Sequence, residues 1–141
     1  MIDKNLILSK VRSIQSDIEN LKSFRKYSFE EIVSDYVKHK AIERITEVII
    51  NEAIDINQHL IANSDSKDFS FDYKKSFTML GDLKILPPDF AQKISLSVGL
   101  RNILVHQYRD LDEQIFYASI PDCVSQYTEY CQLMVDYLEK Q

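Results

Sequence analysis

The chain has 141 residues and a mass of 16.5 kDa, the size of one domain able to bury about two-thirds of its unfolded surface without disulfides or a structural metal. With Gly 2 and Pro 3 it holds too few turn residues for the tight reversals of a β-sandwich or barrel, and its 45% hydrophobic content points to an all-α bundle. Lys+Arg 17 against Asp+Glu 22 gives a net charge of −5, which excludes a global basic field for nucleic acid or membrane; any RNA contact must be local.

Ile7, Val11, Ile14, Ile18 and Leu21 alternate steps of four and three, the buried seam of a first helix ending near Lys26. The acid at Asp3 and the interrupted apolar pattern around it argue against a signal peptide. No stretch approaches the roughly 20 apolar residues of a membrane span, so a soluble, cytoplasmic protein is expected. Ser28 and Glu31 have capping-box spacing and open a short helix with Ile32, Val33 and Tyr36. The strongest helical pattern runs from about Lys40 to Ala62, where Ile42, Ile45, Val48, Ile49, Ala53, Ile56 and Leu60 share one apolar sector. Glu52 falls inside that sector, with Asp55 and His59 on its edge. Either Glu52 reaches water through a crevice, or it is a partly buried carboxylate held for an arginine. NSDSKD at 63–68 reads as a loop, and a helix from Tyr73 to Leu80 is expected to stop at Gly81 as its C′ residue. Pro87-Pro88-Asp89 starts a helix running to about His106, RDLD at 109–112 is a turn, and the remainder to Glu139 is helical with a break or kink near Pro121. Cys123 and Cys131 lie about 12 Å apart along that last helix, beyond bridging distance, and read as reduced core residues.

Within the 89–106 helix, Ile94, Val98 and Val105 form one apolar stripe and Leu96, Leu100, Ile103 and Leu104 a second on the opposite side. A helix apolar on two sides is buried on two sides: it is either the centre of a monomer or a helix shared with a second subunit. Its end carries LRNILVHQY, which sets an arginine, a histidine and a tyrosine within eight residues. Arg101 and Tyr108 share a helical face, Asn102 and His106 share another, and Arg101 and His106 diverge by about 140°. A histidine can take the 2′-hydroxyl proton of RNA or protonate the leaving 5′-oxygen, and an arginine can stabilise charge building on the phosphoryl oxygens. The ordinary alternative is a helix end with an arginine salt bridge and a solvated histidine. His39, between Lys38 and Lys40, and His59, with no second histidine at ligand spacing, read as surface residues, so no metal site and no cofactor is expected. No glycine-rich phosphate loop or nucleophile elbow is present, and the aromatics read mostly as core rather than as a base-stacking platform.

LRNILVHQY resembles the signature of the HepT-like toxins of the HEPN superfamily. AIERITEVIINEAIDINQHLIA is similar to the same family's central helix, with Arg44, Glu52, Asp55 and His59 in corresponding places. The likeness covers most of the chain, taken as a single domain over residues 1–141. It implies an up-and-down bundle of about five to six helices, homodimeric, with a metal-independent endoribonuclease site in the cleft between protomers. Arg101 and His106 would be catalytic, with Asn102 and Glu52 supporting and Glu52 partnering Arg101. The resemblance further implies the toxin of a type VII-like pair, whose nucleotidyltransferase (MNT) antitoxin adenylylates Tyr108; DNA is not an expected partner. Arg12, Arg25, Lys26 or Lys38 would have to help Arg101 draw RNA against the net charge. The rival reading is a non-catalytic HEPN-type adaptor that binds nucleotide or docks a nucleotidyltransferase.

Overall fold

A capped first helix and a 27-residue third helix frame the computed structural model, which describes residues 1–65, 72–106 and 112–141. Helix α1 (Lys4–Lys22) starts where the Asp3 carboxylate accepts the Leu6 N–H at 3.0 Å, and it buries the seam Ile7, Val11, Ile14, Ile18 and Leu21. It ends four residues earlier than expected because Ser23–Lys26 tighten into a 3-10 turn. The Ser28–Glu31 capping box is formed at the start of α2 (Phe29–Val33). Tyr36 belongs instead to α3 (Tyr36–Ala62), because the Asp35 side chain accepts the N–H groups of Val37 and Lys38 and nucleates that helix early. Helix α3 is the spine. It buries Ile42, Ile49, Ile50, Ala53, Ile56 and Leu60 and packs against α1, α2, α4 and α6.

Thr46 and Asn57, the buried polar residues of α3, are hydrogen-bonded, Thr46 to the Ile42 carbonyl at 2.9 Å. Asn57 donates to Ser76 Oγ at 3.2 Å and accepts from the Tyr130 hydroxyl at 2.6 Å, joining α3 to α4 and α7. In α7 (Glu113–Glu139), opened by the Asp112 cap, Tyr127 and Tyr130 are fully buried and the chain stays helical past Pro121. Cys123 and Cys131 are free and buried, and burial pushes both thiols up to about 12. They are thus inert core thiols at neutral pH. No helix among the described residues is long and apolar enough to cross a membrane.

Two expectations for the middle of the chain are corrected. Gly81 does not end a helix but lies inside α4 (Tyr73–Asp82), and the residue with positive φ is Lys84 (60°). A Cβ on Gly81 would meet Ala91 Cβ at 2.9 Å and Pro88 Cα at 3.3 Å, so glycine is required for the close approach of α4 to the next helix. The single helix expected over 89–106 is two: α5 (Pro88–Ser95) and α6 (Ser97–His106). Around Leu96 the bonds are of the i→i−3 kind, Leu96 N–H to Lys93 O at 3.3 Å and Gly99 N–H to Leu96 O at 3.2 Å, which puts α6 out of phase with α5. Ile94 and Val98 remain buried, but Leu104 turns inward from the second stripe while Val105 turns out of the first. Leu96 is 66% exposed.

The α4–α5 contact predicts that Gly81→Ala destabilises the protein. Overpacking costs about 1–3 kcal/mol, against about 1 kcal/mol gained from helix propensity. A net loss of about 1 kcal/mol should appear as a lower urea midpoint; an unchanged or raised midpoint would refute the close-packing role.

Candidate active site

The guanidinium of Arg101 is gripped from two other helices. On α6 it points toward α3, where Arg101 Nε donates to Asn51 Oδ1 at 2.8 Å, and Nη1 donates to Asn102 Oδ1 at 3.1 Å. The ring of Tyr73, in the first turn of α4, lies 4.9 Å from the guanidinium carbon, a cation–π contact. The Asp72 cap fixes that turn by accepting from the N–H groups of Lys74 and Lys75, whose residues are exposed beside it. Arg101 is thereby held half-buried, with two of its donors engaged among the described residues. His106 is exposed at the last described turn of α6, and the helix stays regular up to it. The two side chains therefore keep the roughly 140° divergence that their spacing dictates. Tyr108 and residues 109–111 of the RDLD turn lie outside the described residues, as do 66–68 of the NSDSKD loop.

The expected pairing of Glu52 with Arg101 is not formed. Glu52 Oε2 lies 3.1 Å from Lys10 Nζ on α1, with Asp55 Oδ2 at 3.4 Å from the same ammonium. Burial pulls the Lys10 pKa down, but the bond to Glu52 and the two carboxylate charges outweigh it and raise it. The physical reason is angular. Glu52 is about 100° further round α3 than Asn51, which turns it to α1 while Asn51 faces α6. Asn51 and Tyr73, the residues that hold Arg101, escaped the sequence reading because a polar residue outside the apolar sector and a tyrosine at a helix start carry no periodic signal.

The histidines are also less exposed than expected. His39 is 13% exposed; its Nδ1 lies 2.7 Å from the Tyr117 hydroxyl, and its Nε2 lies 3.0 Å from Glu43 and 3.3 Å from Glu113. Lys38, His39 and Lys40 point three ways round α3, and the histidine takes the direction that faces α7. Burial, with Glu43 and Glu113 adding to it, raises the Tyr117 pKa. His59 Nε2 accepts the Asp3 backbone N–H at 3.1 Å, because the start of α1 lies over the end of α3. Of the cations expected to assist Arg101, Lys38 is committed to Asp35 at 2.7 Å.

Residues 14–134 match the family described as Ribonuclease HepT-like. The chain is 32% identical over 137 residues to a tRNA nuclease HepT of Aphanizomenon flos-aquae, covering 97% of this chain and 92% of the relative. It is 30% identical over 91 residues, 64% of this chain and 67% of the relative, to a putative RNase of Archaeoglobus fulgidus. Its fold is similar to that of a tri-AMPylated Shewanella oneidensis HEPN toxin solved in complex with its MNT antitoxin, with TM-score 0.83, 19% identity, and 96% and 99% of the two chains covered. A toxin–antitoxin structure with AMP-PNP gives TM-score 0.82 at 18% identity, over 94% of this chain and 98% of that one.

Double-mutant cycles on stability separate the two candidate partners of Arg101. Asn51→Ala with Arg101→Ala should show a coupling of about 1 kcal/mol, the worth of one partly buried hydrogen bond to a charged group. Glu52→Ala with Arg101→Ala should be additive within about 0.5 kcal/mol. Coupling to Glu52 and none to Asn51 would overturn the assignment.

Proposed function

Because the chain belongs to the HepT-like ribonuclease family, we propose that it is a metal-independent endoribonuclease, the toxin of a toxin–antitoxin pair, with Arg101 and His106 as its catalytic residues. The observation that carries this reading is the held guanidinium. Among the described residues Asn51, Asn102 and Tyr73 fix Arg101 and no carboxylate pairs with it, so its charge is kept for an anion. A preorganised cation is what a phosphoryl group gaining negative charge requires. His106 moves the proton: as base it takes the 2′-hydroxyl proton while that oxygen attacks phosphorus, and as acid it supplies a proton to the 5′-oxygen that leaves. One imidazole cannot be both at once, and Arg101 and His106 diverge on one helix. A homodimer whose two α6 ends face one phosphate meets both needs.

Leu96, 66% exposed, with half-buried Leu100 and Ile103, supplies an apolar face for that dimer. A stable interface should bury at least about 1,000 Å². Leu96→Glu should therefore sediment as a monomer where the wild type is a dimer; a monomeric wild type at tens of micromolar would sink the cleft.

An antitoxin of the nucleotidyltransferase class would silence the site by adenylylating Tyr108, two residues beyond His106. That converts a neutral phenol into a bulky anionic diester where RNA phosphate is to bind. The Shewanella toxin, tri-AMPylated in its antitoxin complex, supports the idea. One co-expression assay reads all three residues. Arg101→Ala and His106→Ala should lose toxicity and slow cleavage of tRNA, the substrate named for the cyanobacterial relative, by about 10²–10⁴-fold while remaining folded. Tyr108→Phe should stay toxic in the presence of the antitoxin, and the wild-type peptide should gain the mass of AMP. Full activity in either alanine variant, or complete loss of wild-type activity on chelation, would refute the mechanism.

A further inference from the structure

Helix α3 presents a stripe that the catalytic reading does not use. Tyr36, Lys40, Arg44, Glu47 and Asn51 recur at steps of four, four, three and four, an arc of about 80° on the side away from the core. The stripe is about 22 Å long and ends at the residue that holds Arg101. Tyr36 is 73% exposed, against the expectation that the aromatics are core, and Lys40 Nζ stands 5.8 Å from its ring centroid. The acids nearby are more buried than the cations they pair with. The side chains of Glu43 and Glu47 are 18% exposed, Glu43 set between His39 and Lys40 (3.7 Å from the ammonium) and Glu47 bonded to Arg44, while Lys40 is 49% and Arg44 69% exposed, so each pair turns its cation outward. A locally balanced count of charges therefore offers solvent a positive face.

We infer that this stripe is a track for the single-stranded segment of the RNA substrate, with Lys40 and Arg44 taking backbone phosphates and Tyr36 stacking one base, leading the strand to Arg101. An exposed ring among cations is the pattern by which single strands are held without sequence readout, and the stripe is continuous with the phosphate-binding guanidinium. It also answers how a chain of net charge −5 attracts a polyanion. The inference rests on the ribonuclease reading above.

The test is fluorescence anisotropy with a fluorescein-labelled single-stranded RNA in the uncleaving His106→Ala background. Tyr36→Ala should weaken binding about 5- to 100-fold, and Tyr36→Phe, which keeps the ring, should bind as the parent does. Lys40→Ala with Arg44→Ala should flatten the slope of log K against log salt by about 1.4, two phosphate contacts to a single strand. Parent-like affinity and slope in these variants would overturn the track while leaving the ribonuclease intact. So would variants that bind RNA normally but lose the antitoxin, which would make the stripe a protein interface. A wild-type protein that cuts no RNA overturns the underlying activity instead, so the two failures are distinguishable.

Discussion

The long helix α3 has to be core and site wall at once, and the rest of the molecule is arranged around that constraint. At 27 residues it is about 40 Å long, and burial of one side by α1, α4 and α6 fixes its rotation. Fixing that rotation decides what each neighbour meets. Asn57 is turned to α4 and α7, Glu52 to α1, His39 to the start of α7, and Asn51 to α6. A slip of one residue would replace the neutral acceptor at Arg101 by a carboxylate. The guanidinium would then be neutralised by a carboxylate of α3.

Holding a cation by neutral groups is the economical solution for an anion site. Asn51 and Asn102 orient the fork through their carbonyl oxygens, and the Tyr73 face favours the charge without cancelling it. The carboxylates of α3 nearest Asn51 are spent elsewhere, Glu52 and Asp55 on Lys10 and Glu47 on Arg44. An acidic protein can in this way keep a positive site, because the arrangement of charges over a few ångströms outweighs the sum over the surface once screening is included.

The break at Leu96 is a second decision of consequence. A continuous helix would have kept all of Leu96, Leu100, Ile103 and Leu104 on one side. The tightened turn lets Leu104 join the core and leaves Leu96 and Val105 exposed. The surface available for a second copy and the position of His106 thus follow from the same few hydrogen bonds.

Much of the fold was legible because it depends on local physics. The α1 seam, the Ser28–Glu31 box, the proline start of α5 and the reduced core cysteines each rest on spacing or side-chain chemistry within one turn or one helix. Arg101 and His106 also lie within one helix, α6, which is why the LRNILVHQY segment stands out in the chain alone. What spacing could not supply was the identity of partners far apart in sequence. Arg101 and Asn51 are 50 residues apart, Lys10 and Glu52 42, and His39 and Tyr117 78. Helical periodicity says which side of a helix is apolar but not which helix lies against it. A rotation of 100°, one residue, is enough to exchange Glu52 for Asn51. Gly81 is the same lesson in packing: its composition signals a turn, and only the approach of α5 to within contact of its Cα reveals that the missing side chain is the point. The residue types and their local order were determined by the sequence itself; which of them meet was decided by the tertiary packing, because burial sets the rotation of each helix.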